Sequence, residues 1–208
     1  MKINLSLKKY IEDNILPIYQ KLDLAHSGNH VFDVINKSLS IAKDYDVNLD
    51  MIYTIAAFHD VGLIKDRKTH HIIGGKMLAE DEFIQNIFEK AEIKIMQEAV
   101  EDHRASNKTA PRSIYGKIVG EADRAENMDK IIERCLLFQM KSDEDTFDEI
   151  YPSVYDHIVT KYGENGYLTV WLKTVYVEEM LSDIRKLLKD SIKFKQYTKN
   201  IFNKMKFE

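Results

Sequence analysis

Cysteine, proline and glycine are scarce in this sequence: one, three and eight residues among 208. The lone Cys135 excludes an intramolecular disulfide and any cysteine-cluster zinc or iron–sulfur site, and fits a reducing compartment. So few chain breakers argue against a turn-rich all-β fold and favour helices. No run approaches the ~20 apolar residues that span a bilayer. The opening segment MKINLSLKK lacks both the apolar core and the small-residue cleavage pattern of a signal peptide. The net charge of -4 gives no electrostatic reason for an obligate nucleic-acid partner, although local basic clusters can hold a phosphate. These shortages together predict a cytoplasmic protein with no membrane association.

What is present is an ordinary globular balance, 44% hydrophobic and 31% charged residues. The length suits a single domain over 1–208. Apolar residues recur at helical spacing throughout. The pattern predicts helices over about 4–23 (Leu7, Ile11, Ile15, Tyr19, with Pro17 as kink or stop), 30–45, 50–60, 70–82, 84–103 and 113–138. An acidic loop is expected over 140–148, followed by two further helices. Ser27-Gly28-Asn29 reads as a break that caps the second helix. The segment 50–60 is apolar nearly all round, which marks a central buried helix. Tyr167, Val170, Trp171, Val175 and Tyr176 are expected to pack in the C-terminal part, whose basic run from Lys186 to Lys206 reads as an amphipathic helix. The fold class is all-α, with seven to nine helices.

One dipeptide conflicts with its surroundings. His59-Asp60 ends the apolar run Ile52 to Phe58, and burying an unpaired charge costs several kcal/mol or more. A bound cation removes that cost, and imidazole with carboxylate suits Mn, Fe, Co, Ni or Zn. His30 and Asp123 each lie on a different predicted helix, and packed helices about 8–10 Å apart bring such side chains onto one ion. Taken alone, His59-Asp60 also reads as a helix C-terminus with a dipole-facing imidazole, and Asp123 as a surface carboxylate paired with Arg124 or Lys117. Glu121 sits about 160° from Asp123 around the helix. His103 shares the stripe of Ile95 and Ala99 and should point inward.

The order of these residues resembles the HD-domain superfamily of metal-dependent phosphohydrolases. The matching segments are His30-Val31-Phe32-Asp33-Val34, Ala57-Phe58-His59-Asp60-Val61-Gly62-Leu63 and Glu121-Ala122-Asp123-Arg124. His70-His71-Ile72-Ile73-Gly74-Gly75 and Glu101-Asp102-His103-Arg104 resemble the extra histidine segments of many members. The resemblance covers about 20–135, leaving 136–208 as a helical extension. It implies His30, His59, Asp60 and Asp123 as metal ligands. In two-metal members, histidines at positions like His71 (or His70) and His103 are added and Asp60 bridges. His70 and His71 are about 100° apart on a helix, so at most one should face the site, and His70 reads as the more exposed. His26 and His157 are weaker candidates, the first for an outer contact and the second for a surface role.

The resemblance implies hydrolysis of a phosphate ester or phosphoanhydride of a nucleotide or other small metabolite, with one or two divalent cations (Mn, Fe, Co, Ni, Mg or Zn). Such a cation activates water and polarises a phosphoryl oxygen. Asp60, His103 and Lys65 are the expected catalytic residues, with His103 as acid or base. Arg67, Arg104, Arg112 and Arg124 are expected to bind the phosphate, because guanidinium binds it bidentately. The rival readings are a di-iron oxygenase using the extra histidines and a non-catalytic metal-bound sensor. A homodimer through the C-terminal helices is a further expectation.

Overall fold

In the computed structural model the described residues are 3–22, 28–107, 109–142 and 144–207. They form helices and connecting turns, with no strand among them, as the shortage of breakers predicts. The α-helices are α1 (Leu5–Tyr10), α2 (Gly28–Ile41), α3 (Leu49–Phe58), α4 (His70–Glu80), α5 (Glu82–Ile87), α6 (Lys90–Asp102), α7 (Ile114–Arg124), α8 (Met128–Gln139), α9 (Phe147–Tyr162), α10 (Val175–Leu188) and α11 (Ser191–Phe207). No helix of the described residues is long and apolar enough to cross a membrane.

Among the described residues eleven α-helices replace the expected seven to nine, because caps divide three of the longer segments. The segment expected over 84–103 breaks at Phe88, whose backbone is extended, and Glu89 with Glu92 then forms a capping box that starts α6. The segment over 113–138 divides where the Asn127 side chain accepts from the Lys130 N–H and starts α8. The last sixty residues hold three helices rather than two, the first started by a Thr146–Glu149 capping box. The first segment stays helical but changes pitch: after α1 it runs as a π-helix over Ile11–Ile15 and a 3₁₀-helix over Leu16–Lys21, with Pro17 at the start of the latter, where its missing N–H costs nothing. The expected Ser27 cap and His26 lie outside the described residues.

The chain divides into two compact units, 1–124 and 125–208. In the first, α3 is the axis, with every residue from Met51 to Phe58 buried. Helices α2, α4, α6 and α7 pack around it. Two glycines let the turn after α3 lie on α4. A Cβ on Gly62 would stand 2.0 Å from the His70 carbonyl oxygen, and one on Gly74 would stand 3.0 Å from that of Phe58. In the second unit, Phe194, Thr198 and Phe202 form the buried stripe of α11, and Val177, Met180, Leu181 and Ile184 that of α10. The expected packing residues Tyr167, Val175 and Tyr176 are instead exposed, because α10 starts only at Val175 and its buried face begins at Val177.

Candidate metal centre

Three helix ends and two helix starts deliver the polar side chains of the first unit to one place. His59 is the C-terminal cap of α3 and Asp60 is the first residue beyond it, where the backbone leaves the helix at φ -110° and ψ 3°. His70 is the first residue of α4, His103 caps the end of α6, and Asp123 lies in the last turn of α7. His30 comes from the first turn of α2. His30, His59, Asp60, His70 and His103 are all buried. Asp123 is the most open, its side chain 20% exposed.

The donor atoms form two trios that share Asp60. In the first, His59 Nε2 lies 3.4 Å from His30 Nε2 and 3.4 Å from Asp60 Oδ2. His30 Nε2 stands 3.9 Å from the same Asp60 oxygen and 3.2 Å from Asp123 Oδ1. In the second, Asp60 Oδ1 lies 3.3 Å from His70 Nε2 and 3.5 Å from His103 Nε2. Within each of the groups His30–His59–Asp60 and Asp60–His70–His103, the donor atoms are all within 4.8 Å of one another.

His59, His70 and His103 are oriented by the same local device. His59 Nδ1 donates to the Ala56 carbonyl at 2.7 Å, His70 Nδ1 to Arg67 at 2.8 Å and His103 Nδ1 to Val100 at 2.6 Å. Each bond reaches back three residues to a carbonyl of the helix end or turn and fixes the tautomer. Nε2 then presents a lone pair inward, as a metal-ligating histidine does. The turn before His70 is itself held by Asp66, which accepts from the Thr69 N–H at 2.8 Å and hydroxyl at 2.6 Å.

The charge balance of the cluster fits a cation. Burial works against ionisation of Asp60, but the charge of His59 and the hydrogen bonds of His103 and His59 outweigh it and hold this carboxyl well below the usual range. Burial also opposes ionisation of Asp123, and its hydrogen bond and charge pairing with His30 more than reverse that. Burial lowers His103, yet the bond to Asp60 raises it above the ordinary imidazole value overall. Burial lowers His70 on balance, with Asp60 opposing. Two carboxylates held ionised, Asp60 buried and Asp123 partly so, need positive charge, which histidine protons or a cation can provide. A metal with ligand bonds of about 2.1 Å spaces neighbouring donors about 3.0–3.4 Å apart in octahedral or tetrahedral geometry; the shortest contacts here span 3.2–3.5 Å. The residues therefore fit a divalent ion in the first trio with Asp123, and a second in the other.

The structure separates the remaining sequence candidates. His70 is 9% exposed and faces Asp60, whereas His71 is half-buried and belongs to neither group; the expectation that His70 is the more exposed is overturned. At the start of α4 the bond to the Arg67 carbonyl draws the His70 ring back toward the site. Lys65 and Arg67 are exposed on the loop before His70. Arg104, next to His103, donates to the Lys68 carbonyl at 2.9 Å and ties the two loops together. Arg112 is committed elsewhere: its guanidinium binds Asp102 and Glu101 at 2.9 and 2.7 Å. Arg124 is 7% exposed and turned into the interior. Glu121 is fully buried.

Tyr19 is the residue that pattern reading missed. Its hydroxyl donates to the Ala57 carbonyl at 3.0 Å and accepts from the Asp60 N–H at 3.2 Å. Spacing places Tyr19 on the apolar face of its segment, and no sequence signal marks its hydroxyl as polar business with a helix 38 residues away.

No characterised protein and no solved structure matches the chain in direct comparison. Residues 28–128 match the HD domain family, a span that opens just before His30, closes just after Asp123 and encloses every residue of both trios. This family consists mostly of metal-dependent hydrolases, and the chain carries an HD domain over residues 28–128.

Proposed function

We propose that this protein is a metal-dependent phosphohydrolase that cleaves a phosphate ester or phosphoanhydride of a small metabolite, with a nucleotide as the first class to test. The observation that supports it best is the division of Asp60 between two sets of imidazoles, Oδ2 toward His30 and His59 and Oδ1 toward His70 and His103. His30, His59, Asp60 and Asp123 would hold one divalent cation, and Asp60, His70 and His103 a second. Bound there, divalent ions supply a water of lowered pKa and polarise a phosphoryl oxygen.

The chain's own groups do the rest. Asp123, at the open edge of the cluster, is the carboxylate nearest to arriving solvent and substrate. Arg67 and Arg104, on the two loops that carry His70 and His103, are the cations placed to meet phosphate oxygens, with Lys65 beside them. His103 has only Nε2 to offer, because Nδ1 is bound to Val100. It can ligate or carry a proton, but not both at once. With two cations it is a ligand; with one it is free to serve as acid or base.

The test is phosphate and pyrophosphate release from a panel of nucleotides and phosphomonoesters with added Mn²⁺, run on wild type and Asp60→Ala side by side. Release by wild type alone supports the hydrolase. Silence across the panel from both sinks it, and places the iron-dependent oxidative reading and the sensor reading ahead.

A further inference from the structure

We infer that Tyr19 is a positioning residue that sets the backbone from which Asp60 bridges the two trios. The inference rests on the metal reading above and adds to it a residue forty positions ahead of the His-Asp pair.

The last turn of α3 has two carbonyls near the site that need donors, Ala56 and Ala57. Ala56 receives His59 Nδ1 at 2.7 Å, and Ala57 receives the Tyr19 hydroxyl at 3.0 Å. The same hydroxyl accepts the Asp60 N–H at 3.2 Å. One oxygen therefore closes the helix end and holds the first residue beyond it. The ring lies beside the imidazole of His59, centroids 6.2 Å apart, and is wholly buried. A rotation of the Asp60 backbone would swing both carboxylate oxygens together, so one hydroxyl governs the alignment of both trios.

This explains why a tyrosine and not a phenylalanine or leucine stands on an otherwise apolar face. The surroundings of the ring demand only a large apolar group. The hydroxyl is there for the Ala57 carbonyl and the Asp60 N–H.

The test compares Mn²⁺ affinity by titration calorimetry in wild type, Tyr19→Phe and Tyr10→Phe, each with its thermal midpoint. Tyr10 donates to Asp81 at 2.7 Å in the same N-terminal segment, away from the cluster, and controls for loss of any tyrosine hydroxyl. Outer-shell substitutions typically weaken metal binding 10- to 100-fold. The expected result is a loss of about 10-fold or more in Tyr19→Phe and none in Tyr10→Phe at comparable thermal midpoints. Equal affinity in Tyr19→Phe and wild type overturns the inference while leaving the metal reading intact. A wild type that takes up no Mn²⁺ overturns both. If Tyr19→Phe does not fold, hydrogen exchange of the wild-type Asp60 amide decides: protection that rises about 10-fold or more on adding Zn²⁺ supports the inference, and an unprotected or metal-indifferent amide overturns it.

Discussion

His70 Nε2 stands 3.3 Å from Asp60 Oδ1, while its neighbour His71 points elsewhere, its buried Nδ1 without a hydrogen-bond partner among the described residues. Adjacent histidines at the start of α4 thus have different environments, and only one completes a trio. Removing a ligand should weaken an ion more than the 10- to 100-fold typical of outer-shell changes. We expect wild type to bind two Mn²⁺ per chain, His70→Ala to lose one by a factor above about 100, and His71→Ala to keep both. Elemental analysis after dialysis, with calorimetry, measures this. Loss of an ion in His71→Ala with none lost in His70→Ala would reverse the assignment.

Gly62 and Gly120 predict opposite sensitivities to the same added methyl. A Cβ at Gly62 would collide with the His70 carbonyl at 2.0 Å and the Gly74 nitrogen at 2.8 Å, both backbone atoms that cannot step aside. Gly62→Ala should destabilise by more than about 3 kcal/mol, beyond the usual cost of overpacking, and should displace His70. At Gly120 the nearest atom is the end of the Arg124 side chain at 2.7 Å, with backbone no closer than 3.5 Å, so a small shift of that flexible side chain makes room. That small cost is offset by the roughly 1 kcal/mol that alanine gains over glycine inside a helix. Urea unfolding of both variants should therefore show a large shift for Gly62→Ala and nearly none for Gly120→Ala.

Arg112 separates charge from function. Its guanidinium binds Asp102 through Nε and Nη2, reaches Glu101 at 2.7 Å and the Glu98 carbonyl at 3.1 Å, and these acceptors sit on the last turns of α6. The bonds tie the loop before α7 to the helix that ends in His103. With its side chain 44% exposed, solvent screens these pairs, so Arg112→Ala should cost only about 1 kcal/mol of stability. KM for a phosphorylated substrate should stay within about twofold, whereas Arg67→Ala or Arg104→Ala should raise it about tenfold, the equivalent of one charge-assisted hydrogen bond. Steady-state kinetics on the three variants distinguish the two roles.

The fold was legible because its signals are local and repeated. The run from Ile52 to Phe58, apolar but for Thr54, reads as a buried helix in a chain so poor in breakers, and α3 is one. The first trio was legible because a buried His-Asp pair needs company and His30 and Asp123 lie on helices that can provide it. The choice between His70 and His71 was not legible, since it depends on the Arg67 carbonyl that holds the His70 ring, a bond that helical periodicity does not encode. Arg112 looked like a phosphate ligand because sequence shows a cation near a motif and hides the carboxylates folded against it. Tyr19 was invisible for a related reason: spacing reports a side chain's bulk and face but not where its hydroxyl ends.

His71 gives the metal-free protein a pH dependence with a definite sign. Burial, followed by the neighbouring His70 and His103, pushes its imidazole down to about 4 from an ordinary value of 6.5. Between those values the unfolded chain binds a proton that the folded chain refuses, so stability falls as pH drops from 6.5 toward 4 and levels off below. Burial lowers His70 and His157 too, and they act in the same direction. His103, raised, acts oppositely: its contribution is full below 6.5 and is lost as pH climbs through its folded value. Asp60 and Asp123, both lowered, contribute above 3.8 and lose that contribution only as pH falls below it. In the window from 6.5 to 4, His71→Gln should therefore flatten the decline in stability without abolishing it. Urea unfolding of chelator-treated wild type and His71→Gln at several pH values measures the slope, and an NMR titration of the His71 ring should find its midpoint near 4. A midpoint near 6.5 would place His71 in open solvent, and the slope of the variant would then match that of the wild type.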